Sequence, residues 1–112
     1  MLQAYAVSRE MIRALAPLVP RIAEHNRDLA DQLTRAATSV LLNVGEGDRR
    51  TGGDRRRFFG YAAGSASEVR AALDAAEAWG WIVDDREARQ LLDRVRGLLW
   101  GLVHGPRRAR GE

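Results

Sequence analysis

The chain has 112 residues, room for one domain, and a chain of this size buries only about two-thirds of its unfolded surface, so a partner chain would widen a thin margin. It contains no cysteine, which excludes disulfides and thiolate-zinc sites, and His25 and His104 are the only soft metal ligands or neutral-pH proton carriers. All 18 basic residues are arginine, against 15 acids, for a formal charge of +3; the pI of about 10.5 exaggerates that excess because arginine titrates so high.

No apolar run approaches the roughly 18 residues of a membrane span, and the first residues lack the basic-then-apolar pattern of a secretory signal, so a cytoplasmic protein with no membrane partner is expected. Arginine clamps phosphate better than lysine because its planar fork makes bidentate contacts. A coding bias that also enriches Ala, Gly and Asp accounts for the missing lysine, which leaves the placement of the arginines as the informative property.

From the N-terminus, Tyr5, Ile12, Leu15, Val19 and Ile22 recur at helical spacing and predict the buried stripe of a first helix. Pro17 and Pro20 interrupt it, so the helix either kinks near Ala16 or stops and restarts; apolar spacing continued to Ile22 favours a kink. A second helix is predicted after Asp28 as N-cap, with Leu29, Leu33, Ala36, Ala37, Val40 and Val44 inside, ending where Gly45 and Gly47 break it. Residues Asp48 to Gly53 read as a polar surface turn. Asp54 would cap a third helix with Phe58, Ala62, Ser65, Ala66, Val69, Leu73 and Ala76 inward, running to about Trp79 and Gly80. Asp84 and Glu87 form a capping-box-like start to a fourth, whose apolar face is Ala88, Leu91, Leu92, Val95, Leu98, Leu99 and Leu102. No stretch alternates with period two as a strand would. The expected fold is all-α: an antiparallel up-down four-helix bundle over 1–104, followed by a basic flexible tail over 105–112.

Some faces do not suit a lone bundle. Opposite the inner stripe of the third helix lie Gly60, Gly64, Ser67, Ala71, Ala75 and Ala78. Glycine inside a helix costs about 1 kcal/mol relative to alanine, so two on one face call for close approach of another helix. Gly97, Gly101 and Gly105 repeat the pattern on the fourth helix, beside Trp100, which points about 140° away from Val95; Leu42 points about 200° away from Val40. An alanine-rich face can also be a solvated one. The glycines together with an outward tryptophan favour self-association into a ring or another symmetric oligomer, with Leu42, Gly60, Gly64, Ser67, Ala71 and Trp100 at the contact.

The turn gathers Arg49, Arg50, Arg55, Arg56 and Arg57 around Asp48 and Asp54. Three arginines in the first turn of a helix oppose its dipole by roughly 0.3 to 1 kcal/mol each, a placement that a nearby phosphate or carboxylate relieves. The turn is therefore a candidate nucleic-acid surface, with Arg107, Arg108 and Arg110 of the tail adding to it, or else a solvated loop paired with acids of a neighbouring subunit. No base-stacking aromatic set or helix-turn-helix signature is evident. Gly45-Glu46-Gly47 follows a helix and lacks the Gly-Lys-Ser/Thr of a phosphate loop. The histidines have no zinc-protease context, no Glu-x-x-His pair exists for a di-iron site, and Ser65 has no partnered histidine. No catalytic residue, metal or cofactor is expected, and hence no enzyme.

Gln32-Leu33, Arg35-Ala36-Ala37, Ser39-Val40, Asn43, Glu46-Gly47, then Phe58, Ala62, Gly64-Ser65, Glu68-Val69 and Leu73 resemble, in order and spacing, the four-helix-bundle family encoded in intervening sequences of bacterial 23S ribosomal RNA genes. The match is close over Asp31 to Ile82 and one of pattern elsewhere. The resemblance implies a pentameric ring and kinship with the accessory variability protein of diversity-generating retroelements, which binds nucleic acid and a reverse transcriptase. It also implies that Asn43, Glu46, Gly47, Gly64, Ser65 and Glu68 serve helix packing or the subunit junction. Leu41 replaces the family's usual proline and Gly45 its usual alanine, which implies a different geometry at the end of the second helix. Two functions follow as expectations: a non-enzymatic oligomer that binds RNA or DNA electrostatically, as an accessory to a reverse transcriptase or ribosomal RNA, or an oligomeric protein-interaction scaffold that does not touch nucleic acid.

Overall fold

Pro17 and Pro20 cannot donate to the carbonyls of Arg13 and Ala16, and the first apolar stretch accordingly divides into two helices. The computed structural model describes residues 1–105, and the helices among them are α1 (Gln3–Leu15), α2 (Leu18–His25), α3 (Arg27–Asp48), α4 (Gly52–Ala78) and α5 (Arg86–His104). Ala16 and Pro17 both keep right-handed helical backbone angles, so α1 and α2 are separated by a two-residue break and not by a reversal. The expectation of an all-helical chain is borne out, with five helices in place of four. There is no strand among the described residues. The tail residues Arg107, Arg108 and Arg110 lie outside the described residues.

The inward line of α1 and α2 is Ala4, Val7, Ser8, Met11, Leu15, Leu18 and Ile22, while Tyr5, Ile12 and Val19 of the expected stripe are only half-buried at its edge. Buried Ser8 satisfies its hydroxyl by donating to the Ala4 carbonyl at 2.7 Å.

Four helix boundaries differ from expectation. The N-cap of α3 is Asn26, whose Oδ1 accepts from the Leu29 amide at 2.9 Å, and Asp28 sits within the first turn, where a negative charge favours the dipole. At its other end α3 continues through Gly45 and Gly47 to Asp48. Gly47 is buried there because the Phe59 ring lies against it: a Cβ at Gly47 would stand 2.7 Å from the Phe59 Cε1. The helix α4 begins at Gly52 after Thr51, so Asp54 lies inside its first turn and not at its cap, and its carboxylate accepts from Arg50 and Arg57. Similarly α5 starts after Asp85, not Asp84.

Phe59, 1% exposed, fills the core place expected for Phe58, which stands half-exposed at the turn. Along the rest of α4, Ala62, Ser65, Ala66, Val69, Leu73 and Ala76 point inward as the spacing predicts, and so do Ala88, Leu92, Val95 and Leu99 of α5. Helices α3 and α4 lie along one another, α5 packs on α4, α1 on α3 and α5, and α2 on α3. The result is a rod with extents of 51 × 21 × 20 Å, its α3–α4 turn at one end and its α2–α3 and α4–α5 links at the other.

Candidate functional site

The α3–α4 turn has only three residues between helices, Arg49, Arg50 and Thr51, so the last turn of α3 and the first of α4 crowd their charged side chains into one surface. Sequence reasoning offset the five arginines with Asp48 and Asp54; the structure adds Glu46, one helical turn back on α3. Glu46 pairs with Arg49 and, at 2.7 Å, with Arg50, which also reaches Asp54 at 2.7 Å, and Asp54 holds Arg57 at 2.5 Å. Hydrogen bonds from Arg50 first and Arg49 second hold the Glu46 carboxyl below the ordinary carboxylate range, and Glu46 and Asp54 in turn raise the Arg50 guanidinium.

The five arginines do different work. Arg55 turns inward: its Nη1 donates to the carbonyls of Gly47 and Asp48, each at 3.2 Å, and lies 3.7 Å from the Asp48 carboxylate. A cation there neutralises the negative end of the α3 dipole, so Arg55 fastens the turn. Its guanidinium also lies 4.8 Å from the Phe59 ring centroid. Arg50 and Arg57 lie over Phe58 at 4.9 and 5.3 Å, which gives that half-exposed ring the role of a platform for two guanidiniums. Arg49 and Arg57 keep 72% and 56% of their side chains exposed, and Arg56, also exposed, has no ion pair among the described residues. Five guanidiniums against three carboxylates leave this surface with a net charge of +2.

The other positions singled out in the sequence separate into two groups. Asn43 and Ser65 meet through Ser39: the Ser65 hydroxyl donates to the Ser39 hydroxyl oxygen at 2.9 Å, and the Asn43 amide donates to that same oxygen at 3.0 Å and to the Ser39 carbonyl at 2.9 Å. This polar bridge crosses from α3 to α4, a packing role. Glu68 lines an open groove of about 520 Å³ along the same two helices with Gln32, Arg35, Ser39 and the small side chains of Ala36, Ala71, Ala72 and Ala75.

On the outer face of α4, Gly64, Ser67, Ala71 and Ala78 are exposed and Gly60 half-exposed, and a Cβ at Gly60 or Gly64 would meet nothing within 4 Å. Leu42 and Trp100 are 66% and 64% exposed. Trp100 stacks on His104 at 4.4 Å. Among the described residues no group of three or more His, Asp or Glu is arranged to hold a metal ion, and no described helix is long and apolar enough to cross a membrane.

A second charged cluster, not foreseen from the sequence, lies at the far end of the rod. Arg89 on α5 reaches Asp85 at 2.7 Å, Asp74 on α4 at 2.9 Å and Glu77 at 3.6 Å. Burial pulls the Arg89 guanidinium down, but the hydrogen bonds to Asp85 and Asp74 outweigh it and raise it overall. Its Nη2 is buried without a hydrogen-bond partner. The i, i+4 spacing of Asp85 and Arg89 was the available signal; Asp74, fifteen residues away, was not.

The order of these features along α3 and α4 is matched by a known family: the family model described as 23S rRNA-intervening sequence protein covers residues 2–101. The chain belongs to that family. The match takes in α1 to α4 and nearly all of α5, well beyond the stretch from Asp31 to Ile82 on which the motif itself rests. Comparison with curated proteins gives no match.

Proposed function

We propose that this chain works without catalysis, as a closed ring of identical subunits that binds nucleic acid, RNA foremost, through the α3–α4 turn. In this reading α1 and α2 count as one kinked rod of a four-helix bundle, and five is the subunit number that the family resemblance implies. The observation that carries it is the charge excess at the turn: five arginines stand against the three carboxylates of Glu46, Asp48 and Asp54, and Arg49, Arg56 and Arg57 keep their side chains largely exposed. The free amides at the start of α4, which has no side-chain cap, add to the attraction for a phosphate. Five copies of a formal +3 would bring roughly +15 to one assembly, enough to steer a polyanion. The exposed glycine face of α4, Leu42 and Trp100 supply the subunit contacts. The family's description, a protein of a 23S rRNA intervening sequence, supports RNA as the ligand. Kinship with the accessory variability protein of diversity-generating retroelements would add a reverse transcriptase as partner, in the cytoplasm.

One observation favours a second reading, a protein-interaction scaffold: four of the five turn arginines already have a carboxylate partner. Titrating labelled RNA and duplex DNA across a salt series, with wild type and with a variant carrying Arg49→Glu, Arg56→Glu and Arg57→Glu, separates the two. Arg55 is left intact because it fastens α3. Wild-type affinity should fall steeply with salt, and the variant should bind more weakly. For each phosphate that the variant no longer neutralises, its log–log slope should be shallower by about 0.9 on duplex DNA and about 0.7 on single strands. Equal affinity and slope would remove the turn from the binding surface. No binding by wild type at low salt would leave the scaffold. Light scattering tests the ring, and a monodisperse species near 12.4 kDa at tens of micromolar would end it.

A further inference from the structure

At the end of the rod away from the arginine turn, tertiary structure builds an aromatic stack that no run of sequence displays. His25, the last residue of α2, lies parallel to Trp81 at 5.6 Å with 1° between ring planes, and Trp81 in turn stacks on Trp79 at 5.7 Å and 12°. Trp81 is anchored against the core, whereas Trp79 is 71% exposed and Val83, two residues beyond Trp81, 81% exposed. An indole that is stacked on one face and open on the other is a built platform, and desolvating it on a ligand would bury a large area at little entropic cost, because the ring is already held.

The electrostatics of this end select the ligand. Residues 20–31 and 74–89, which form it, carry eight carboxylates against four arginines, a net of −4 in a chain whose formal total is +3. The cluster around Arg89 engages Asp74, Glu77 and Asp85, while Glu24, Asp28 and Asp84 stand exposed without an ion pair among the described residues. A nucleobase stacked on Trp79 would bring its phosphates within a Debye length, about 8 to 10 Å, of this negative field. A cation meets both the field and the indole face favourably, and the molecule already makes that kind of contact at its other end, where Arg50 and Arg57 lie over Phe58.

We propose that the Trp79 platform and, as its acidic rim, the exposed carboxylates Glu24, Asp28 and Asp84 of the same end form a docking site for an arginine-rich segment of a partner polypeptide. A planar guanidinium lies on the open indole face while neighbouring cations pair with the carboxylates of the rim. The turn of a second copy is a poorer occupant than an arginine-rich segment free of acids, since its own Glu46, Asp48 and Asp54 reduce its charge to +2 and would face the carboxylates of this end. The proposal stands whether or not that turn binds nucleic acid, and it gives the rod two chemically opposite ends.

The test uses the full chain and a fluorescein-labelled peptide of nine arginines, with fluorescence anisotropy at low salt. Wild type should bind, Trp79→Ala should weaken binding by about three- to thirtyfold, the value of one desolvated cation–aromatic contact, and the Glu24→Gln, Asp84→Asn pair should weaken it and flatten its salt dependence. Arg56→Glu, at the far end, should leave it unchanged. Absence of wild-type binding, or affinity unaltered both by Trp79→Ala and by the rim pair, would overturn the proposal. A changed sedimentation coefficient for Trp79→Ala would assign the platform to a second copy instead. Tighter binding of polyuridylate than of the peptide at this end, abolished in Trp79→Ala, would assign it to nucleic acid.

Discussion

The α3–α4 turn and the α4–α5 link both reverse the chain and both gather arginines with carboxylates, yet the pairs sit in different media. At the turn, Arg49, Arg50 and Arg57 keep between 42% and 72% of their side chains in water. At the link, Arg89 is 26% exposed and the side chain of its partner Asp85 only 8%. Exposed pairs contribute little, because water screens the attraction and two long side chains must be held still. A buried pair contributes mainly by what its loss leaves behind, an uncompensated charge away from water. The link therefore depends on its ions for stability, while the turn can give up an ion pair to a competing anion at small cost.

The largest effect that would break this contrast is at Arg89. Arg89→Ala should destabilise the fold by about 3 kcal/mol by stranding Asp85, whereas Arg50→Ala should leave its stability nearly unchanged. Urea unfolding of both variants checks this, and equal losses would refute the distinction between the two ends.

Next in size is Gly47, which ties the turn to the core. Gly47→Ala should cost about 1 to 2 kcal/mol net: overpacking against the Phe59 ring outweighs the gain of about 1 kcal/mol that alanine brings to a helix. A stabilised variant in the same unfolding experiment would show that Phe59 moves aside freely.

Gly64→Ala sharpens the comparison from the opposite direction. With nothing within 4 Å of its new methyl group, the isolated subunit should gain up to about 1 kcal/mol, while an assembly that uses this face should loosen. Thermal unfolding at low concentration together with sedimentation across a concentration series separates the two responses, and a stabilised subunit with unchanged assembly would remove Gly64 from the interface.

The smallest effect is pH-dependent. Glu46 has its carboxyl lowered in the folded state, so its contribution is full above the ordinary carboxylate value and is lost as pH falls through the depressed one. The stability difference between wild type and Glu46→Gln should therefore shrink as pH drops from neutral into the acid range. A difference that stays constant over that range would mean that the Arg49 and Arg50 pairs carry no weight in solution.

Much of this was legible beforehand because it depends on periodicity. The inward residues of α4 from Ala62 to Ala76 and of α5 from Ala88 to Leu99 follow from helical spacing alone. The split at Pro17 was visible as one of two outcomes. The choice between Phe58 and Phe59 was not: two adjacent rings lie 100° apart on a helix, and it is the room beside Gly47 that selects one. The same pair of glycines reads as a helix stop in isolation, yet a neighbouring helix that packs close can keep such residues helical. Asn26 was overlooked as a cap because Asp28, two residues on, has the same preference.

By itself the sequence determined an all-helical chain, the placement of its arginine turn, the outward glycines of α4, and membership in a family whose model matches residues 2–101. All of these are set by near neighbours, through hydrophobic spacing, proline and local charge. Only the tertiary structure decided that Arg89 on α5 reaches Asp74 on α4, that Arg55 fastens α3 rather than facing outward, and that His25 of α2 joins Trp79 and Trp81 in one stack. Those interactions join residues from different elements, and their partners are fixed by how the helices pack, a property that no window of sequence contains.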